Sequence, residues 1–282
     1  MLMIREATMR NITVMATVLF AVAAGAAFAQ NSTAPSRGNA MATVSPDVVK
    51  SLAPTGTLRA GINLGNIVLA QSDASGQLGG VTVELARELG RRLDVPVELK
   101  RFDAAGKSFE AMKAGSLDIV FLAIEPVRAA EVEFSAPYVI IEGVYMVPKD
   151  SAIRSVDEVD REGVRIAVNK ASAYDLFLTR SLKHAKLVRG ESGVELFVNE
   201  KLEAAAGVKQ PIVAYAKAHP NVRVLDGRFM EIRQAMGTAK GREAGARYLR
   251  AFVEEMKASG FVADALKRSN QPDASVAPPA TD

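Results

Sequence analysis

The sequence predicts an α/β fold made of two similar halves that are joined by two extended segments. One observation is the continuous apolar run Ile119–Ile124, which is too short for a free-standing buried helix and indicates a strand covered on both faces. Another is that strand and helix patterns alternate on both sides of a long β-rich stretch, 138–148. Two alternating sets connected in this way predict lobes that hinge around a cleft.

The elements of both halves follow from their hydrophobic patterns. Leu58, Ala60 and Ile62 alternate with polar neighbours as a strand, and apolar residues at every fourth position from Val81 to Leu93 predict an amphipathic helix. After these come a strand over 95–99, a helix over 108–114, the buried strand 118–124 and the long strand 138–148. The second half is predicted to contain a helical turn at 156–160, strands at 164–168, 185–188, 204–208 and 222–225, helices at 172–182, 194–202 and 212–218, a return strand over 228–239, and a long helix that ends at Gly260.

The two ends of the chain differ from this pattern. Residues 1–29 resemble an export signal, with Arg5 and Arg10 before an apolar core and Ala27-Phe28-Ala29 as the cleavage site. A membrane anchor is the alternative, but the apolar stretch is shorter than the roughly 20 residues that span a bilayer. We expect an exported mature chain that begins at Gln30, which offers no lipid attachment point. Residues 30–54 are predicted to form a linker with a short helical turn, and the tail 269–282 is predicted to be disordered.

Composition and missing motifs narrow the function. A formal net charge of +3, with basic residues scattered among acidic ones, argues against a nucleic-acid partner. The chain has no cysteine and therefore no thiol nucleophile. Gly106-Lys107-Ser108 lacks the earlier glycine of a phosphate loop, and His184 and His219 are isolated in polar stretches. We predict no catalytic residue, no metal, no cofactor, and a monomeric protein.

Arg128 stands where α/β sheets bind ligands. It follows Glu125-Pro126, just past the carboxyl end of the buried strand, and ligands of open α/β sheets bind outside the carboxyl ends of the strands. We therefore expect the functional site at this edge. The alternative is an exposed arginine that forms an ion pair with Glu125 or Glu131.

Several blocks of the chain resemble the family 3 extracellular solute-binding proteins, the polar amino-acid receptors of ABC importers. These blocks occur in the family's order: Gly56-Thr57-Leu58-Arg59-Ala60-Gly61, Gly80-Val81-Thr82-Val83-Glu84-Leu85-Ala86, Glu125-Pro126-Val127-Arg128, and Glu133-Phe134-Ser135-Ala136-Pro137-Tyr138. The resemblance covers residues 55–268. It implies a two-lobed periplasmic-binding-protein type II fold, in which each lobe is a sheet flanked by helices and two hinge strands connect the lobes. One lobe would comprise residues 55–145 with 235–268, and the other residues 146–234.

The resemblance also implies a function. The protein is expected to be periplasmic, to lack enzymatic activity, and to capture a small carboxylate-bearing solute, an amino acid or a related organic anion, by lobe closure. Its partners would be this solute and the membrane subunits of an ABC transporter. Two alternatives stay open: a cyclohexadienyl-dehydratase-like enzyme of the same fold, with Glu125 or Glu142 as general acid, and a ligand-sensing module without an importer.

The family's binding residues map onto specific positions of this chain. The arginine at the position of Arg128 binds the ligand's α-carboxylate in the family, and its rigid fork of donors suits that group. The second lobe is expected to contribute the loop Asn169-Lys170-Ala171-Ser172, in which the family's glycine is missing and Ser172 is either a ligand contact or only an N-cap. Ala123 and Asn66 are the further expected contacts of the first lobe.

Two departures from the family concern the ligand's ammonium group. The family's ammonium-binding aspartate is absent after the strand 204–208, where this chain has Lys209, and Glu125 replaces the threonine of the arginine block. One interpretation is an anionic or polar carboxylate ligand held by Arg128 with help from Lys209 or Lys170. The other is that Glu125 has taken over the ammonium contact and the ligand is an amino acid. The sequence leaves both open.

Overall fold

The computed structural model describes residues 44–271 and 274–281, so the predicted export signal and the predicted linker up to residue 43 lie outside the described residues. In chain order, the elements are α1 (Pro46–Leu52), β1 (Leu58–Asn63), β2 (Gln71–Ser72), β3 (Leu78–Gly79), α2 (Val81–Leu93), β4 (Val97–Phe102), α3 (Ala105–Lys113), β5 (Ile119–Ala123), α4 (Pro126–Ala129), β6 (Val132–Pro148), β7 (Arg165–Asn169), α5 (Ala173–Ser181), β8 (Lys186–Gly190), α6 (Gly193–Asn199), β9 (Ala204–Val208), α7 (Lys209–Ala218), β10 (Val222–Val224), β11 (Met230–Ala239), α8 (Glu243–Ala258), α9 (Phe261–Arg268) and β12 (Ser275–Val276). A 3-10 turn at Val156–Glu158 precedes β7.

Most strands belong to one large mixed sheet, in the order β4-β1-β5-β11-β6-β9-β7-β8. The strands β4, β1 and β5 are parallel at one end of the sheet, and β9, β7 and β8 are parallel at the other. Between these two sets, β11 and β6 pair antiparallel with each other and with their outer neighbours. This arrangement confirms the predicted α/β fold of two alternating sets joined by two extended segments.

The strand β5 is buried on both faces, as its apolar run predicts. Ile119, Phe121 and Ala123 belong to the main hydrophobic core, whereas Val120 and Leu122 belong to a smaller cluster that includes residues of α3. Each fully buried apolar side chain of this size contributes about 1.5–3 kcal/mol. The strand is therefore a rigid support for α4, which follows it after a two-residue connection.

Asp118, immediately before β5, ties several elements together. Its fully buried carboxylate accepts hydrogen bonds from Arg59 on β1, at 2.8 and 3.0 Å, and from Arg242 beside α8, at 2.9 Å. Burial alone raises the pKa of Asp118, but the hydrogen bonds from the two arginines outweigh burial and lower the pKa below its usual value. The sequence pattern does not reveal this anchor, because Arg59 and Arg242 are distant in sequence from Asp118.

Both ends of the described chain pack against the folded body. The short helical turn predicted within residues 30–54 is present as α1. Helix α1 contacts α8 and buries Leu52 completely, so residues 44–54 are not a free linker. The prediction of a disordered tail is wrong for residues 274–281, because β12 pairs with β6, and Ala274 and Ala277 are buried. Strand β6 pairs with β9 only from Gly143 onward. The open edge before this residue pairs with β12 at Val139 and Ile140. None of the helices that the structure describes is long and apolar enough to cross a membrane.

Candidate functional site

A cavity of about 200 Å³ lies at the carboxyl ends of strands from both ends of the sheet. Asn63 ends β1, Ala123 ends β5, Asn169 ends β7 and Val208 ends β9, and all four residues line this cavity. The position agrees with the rule that ligands of α/β sheets bind outside the carboxyl ends of the strands. The structure brings most of the predicted site residues together here, namely Asn66, Ala123, Arg128, Asn169, Lys170 and Ser172.

Arg128 provides a buried positive charge in the cavity wall. It is 1% exposed and belongs to α4, which begins at Pro126 after a two-residue connection from β5. Its Nη1 donates to the carbonyl oxygen of Ala123 at 3.2 Å, and its Nη2 donates to the carbonyl oxygen of Ala171 at 3.0 Å. Burial lowers the pKa of Arg128 to about 10, against the opposing effect of Glu125, so the guanidinium stays protonated at neutral pH.

The alternative of an exposed Arg128 in an ion pair is wrong. The residue is buried, and within residues 44–271 and 274–281 no carboxylate forms an ion pair with its guanidinium. Glu125 pairs instead with Arg180 on α5. A buried cation without a bonded anion is costly, so the arrangement is suited to an anionic group of a ligand.

The loop between β7 and α5 approaches Arg128 from the other end of the sheet. Ala171 adopts a φ of +56°, a left-handed conformation that costs an alanine more than a glycine. Ser172 is the N-cap of α5, where its Oγ accepts from the N–H of Asp175 at 3.1 Å, and Asp175 Oδ2 accepts from the N–H of Ala171 at 2.8 Å. The N-cap role of Ser172 is therefore present, and its direct ligand contact stays a prediction.

Three asparagines line the cavity with free amide nitrogens. The Oδ1 atom of each accepts a backbone N–H, at 3.0 Å for Asn63, 3.3 Å for Asn66 and 2.8 Å for Asn169. This orientation follows from the chemistry, because an amide nitrogen cannot accept a hydrogen bond. In the part of the chain that the structure describes, these NH₂ groups have no acceptor, so they are available to a ligand.

The remaining two predicted site residues do not line this cavity. Glu125 is 2% exposed and its carboxylate is bonded to Arg180, so it is not placed to receive a ligand's ammonium group. Lys209 begins α7 and forms an ion pair with Glu142 at 2.5 Å. Of the two cations proposed to assist Arg128, the cavity includes Lys170 and not Lys209.

The cavity is also lined by residues that were not predicted from the sequence. Gln234 on β11 is 6% exposed, and its side-chain amide has no hydrogen-bond partner within the described ranges. Its only signal in the sequence is a polar residue at a buried-face position of β11, two residues after Ile232 and between exposed-face alternation and the apolar end of the strand. Phe121 and Ile67 supply apolar walls, and the sequence has no aromatic residue between Gly61 and Gly80.

The cavity offers binding groups rather than an acid–base pair. Of the lining residues that the structure describes, Asp103 alone carries a carboxylate, and its side chain is 72% exposed and paired with Lys107 at 2.8 Å. Glu142 lies outside the lining, and the hydrogen bond from Lys209 lowers its pKa, so it is ionised at neutral pH. Between residues 44 and 281, leaving out 272 and 273, no group of three or more His, Cys, Asp or Glu side chains could hold a metal ion.

Comparison with protein families gives a match to the bacterial extracellular solute-binding proteins, family 3, over residues 58–269, which is more than half of the chain. The chain belongs to this family. As a family 3 solute-binding protein, it is similar to the glutamine-binding protein of Geobacillus stearothermophilus, with 24% identity over 183 residues that cover 62% of this chain and 69% of that protein.

Solved structures agree with this assignment. The L-cysteine receptor of Neisseria gonorrhoeae shares 25% identity with this solute-binding protein at a TM-score of 0.68, and the alignment covers 79% of this chain and 94% of the receptor. An ancestral amino-acid-binding protein, a precursor of cyclohexadienyl dehydratase, shares 25% identity at a TM-score of 0.64, with 78% and 97% covered. The mixed α/β fold, a large sheet flanked by helices, is that of the type II periplasmic binding proteins.

Proposed function

We propose that this protein is the substrate-binding component of an ABC importer and that it captures a small carboxylate-bearing solute. The observation that carries the proposal is the buried guanidinium of Arg128, which lines the cavity without a paired carboxylate among the described residues. Its planar fork of donors matches a carboxylate bidentately. The relatives named above include proteins for glutamine and L-cysteine, both of which carry a carboxylate.

The capture mechanism is closure of two lobes, residues 55–145 with 235–268 and residues 146–234. In support, contacts join the two proposed lobes around the cavity: Arg128 donates to Ala171, and Lys107 pairs with Glu191 at 3.4 Å. The strands β6 and β11 run between the two parallel sets and would act as hinges. Closure, rather than chemistry, would be the signal that the membrane subunits recognise.

The enzymatic alternative lacks support from the cavity. A dehydratase needs a general acid near the bound carboxylate, and Glu125 and Glu142 are outside the lining and held in ion pairs. Incubating the protein with prephenate-like acids tests this alternative, and measurable turnover that disappears in the Arg128→Gln variant would contradict a pure binding function.

Arg128→Gln tests the proposed function. The variant removes the buried charge, so we expect calorimetry to show at least a hundredfold weaker binding of any solute that the unmodified protein binds, about 2.7 kcal/mol or more. Arg87→Gln on the exposed face of α2 changes the net charge equally and should leave affinity unchanged. Affinity within about threefold of the unmodified protein for Arg128→Gln would contradict the carboxylate clamp. The importer role is tested separately by whether the liganded protein stimulates ATP hydrolysis by a reconstituted cognate transporter.

A further inference from the structure

The polar lining of the cavity consists mainly of hydrogen-bond donors. Arg128 contributes its buried guanidinium, and Asn63, Asn66 and Asn169 contribute NH₂ groups whose oxygens are already engaged by the backbone. Lys170 adds an ammonium group at the rim, and no ion pair engages it in the part of the chain that is described. These five groups favour a ligand that presents several acceptor atoms.

Acceptors for a positively charged group are scarce in the same lining. The carboxylate of Asp103 is exposed and bonded to Lys107, and the carbonyl oxygens of Ala123 and Ala171, each of which already accepts one hydrogen bond from Arg128, are neutral. Gln234 has a free amide oxygen, but a neutral amide cannot compensate a buried ammonium that has lost its water. An ammonium group bound here would also be repelled by the guanidinium of Arg128.

The apolar part of the cavity sets the size and shape of the solute. Hydrophobic side chains from both ends of the sheet line it: Phe121, Leu122, Ala206, Val208, Ile212 and Ile232. A cavity of roughly 150 Å³ holds benzene, with six non-hydrogen atoms, so the volume of about 200 Å³ has room for about eight. This volume fits a carboxylate head with a short aliphatic tail.

We propose that the solute is a small 2-oxo or 2-hydroxy monocarboxylate without an ammonium group. The inference rests on the proposed function and names its substrate class. The carboxylate bonds to Arg128, the oxygen on C2 accepts from the asparagine NH₂ groups, and the tail packs against the apolar wall. Of the two interpretations that the sequence left open, the donor-rich lining favours the anion, and the bonding of Glu125 to Arg180 disfavours the amino acid.

Paired ligands that differ only at C2 test this inference. We use 4-methyl-2-oxopentanoate against L-leucine, and pyruvate and L-lactate against L-alanine, with calorimetry on the full-length mature protein and on Arg128→Gln. We expect an oxo or hydroxy acid to bind at least tenfold more tightly than its amino-acid partner, in an Arg128-dependent manner. Tighter Arg128-dependent binding of the amino-acid partner overturns the inference and leaves the proposed function intact. Absence of Arg128-dependent binding in both series overturns the inference and the proposed function together.

Asn66→Asp gives a second test with opposite signs for the two ligand classes. One carboxylate oxygen can keep the bond to the N–H of Val68, while the other replaces a donor with a negative charge in the lining. We expect the 2-oxo acid to bind at least tenfold more weakly and L-leucine to bind more tightly. Asn221→Asp, on an exposed loop outside the cavity, changes the net charge equally and should change neither affinity. Weaker binding of both ligands to Asn66→Asp, or no change in either, contradicts the donor-based selection.

Discussion

Replacing Arg180 with glutamine separates closure of the cavity from stability of the fold. Arg180 on α5 pairs with the buried carboxylate of Glu125. Glu125 lies two residues after the end of β5, on the other proposed lobe. Removing one partner of a fully buried pair costs about 3–5 kcal/mol. Because the side chain of Arg180 is 43% exposed and water screens the pair, we expect about 1–2 kcal/mol.

This energy should appear in ligand affinity. If the pair forms only when the lobes are closed, its loss favours the open form, in which Glu125 regains water, and ligand binding must then compensate the difference. A cost of about 1–2 kcal/mol corresponds to roughly 5- to 30-fold weaker binding by calorimetry. The melting temperature of the ligand-free protein should change little.

The matched control is Arg165→Gln. The side chain of Arg165 is also 43% exposed, and its pair with Glu203 lies within one proposed lobe at the amino ends of β7 and β9, whereas the cavity lies at the carboxyl ends of these strands. We expect unchanged affinity for this variant. Affinity of Arg180→Gln within about twofold of the unmodified protein, together with a lowered melting temperature, would show that the pair stabilises the fold equally in the open and closed forms, which contradicts a role in closure.

Two further predictions concern a contact across the cavity and the anchor of β5. Gly106→Ala places a Cβ atom 2.7 Å from that of Ala171, so calorimetry should show roughly tenfold weaker binding, whereas Gly79→Ala, which meets no atom within 4 Å, should bind normally. The pKa of Asp118 is lowered below 3.8 in the folded state, so its contribution to stability is present above that pH and is lost as the pH falls through the folded pKa. The free energy of unfolding measured with urea should therefore fall from about pH 6 to about pH 3, and it should fall less in Asp118→Asn. An equal pH dependence in both proteins would refute this role of Asp118.

The sequence predicted the elements well where the hydrophobic pattern determined them. The run 119–124 could only be a strand buried on both faces, and the periodicity of 81–93 matches α2 at both ends. The prediction failed at the start of β6, placed at 138 instead of Val132, because Ser135 and Pro137 interrupt the pattern. The structure accommodates Pro137 by register shifts on either side of its partner Ala235 in β11, and local sequence cannot show such a partner.

The candidate site was predictable in position but less so in chemistry. Arg128 could be identified because its location depends on strand order, which the sequence pattern reveals. The roles of Glu125 and Lys209 depend on which charged side chain reaches them, and their partners Arg180 and Glu142 are distant in sequence. The donor character of the asparagines depends on which end of each amide faces the backbone, and this is a property of the folded loops alone.

The close approach of Gly106 and Ala171 explains how the loop between β7 and α5 can have an alanine at position 171. The resemblance to the family leads us to expect a glycine in this loop, and Ala171 adopts the left-handed φ of +56° that a glycine would adopt more easily. The methyl group of Ala171 can be accepted there because the residue opposite, Gly106 at the start of α3, has no Cβ, and an added Cβ would lie 2.7 Å from it. One of the two residues at this contact must therefore lack a Cβ atom. In this chain that residue is Gly106, on the first proposed lobe. It follows that Ala171→Gly should relieve the crowding in Gly106→Ala and restore its binding.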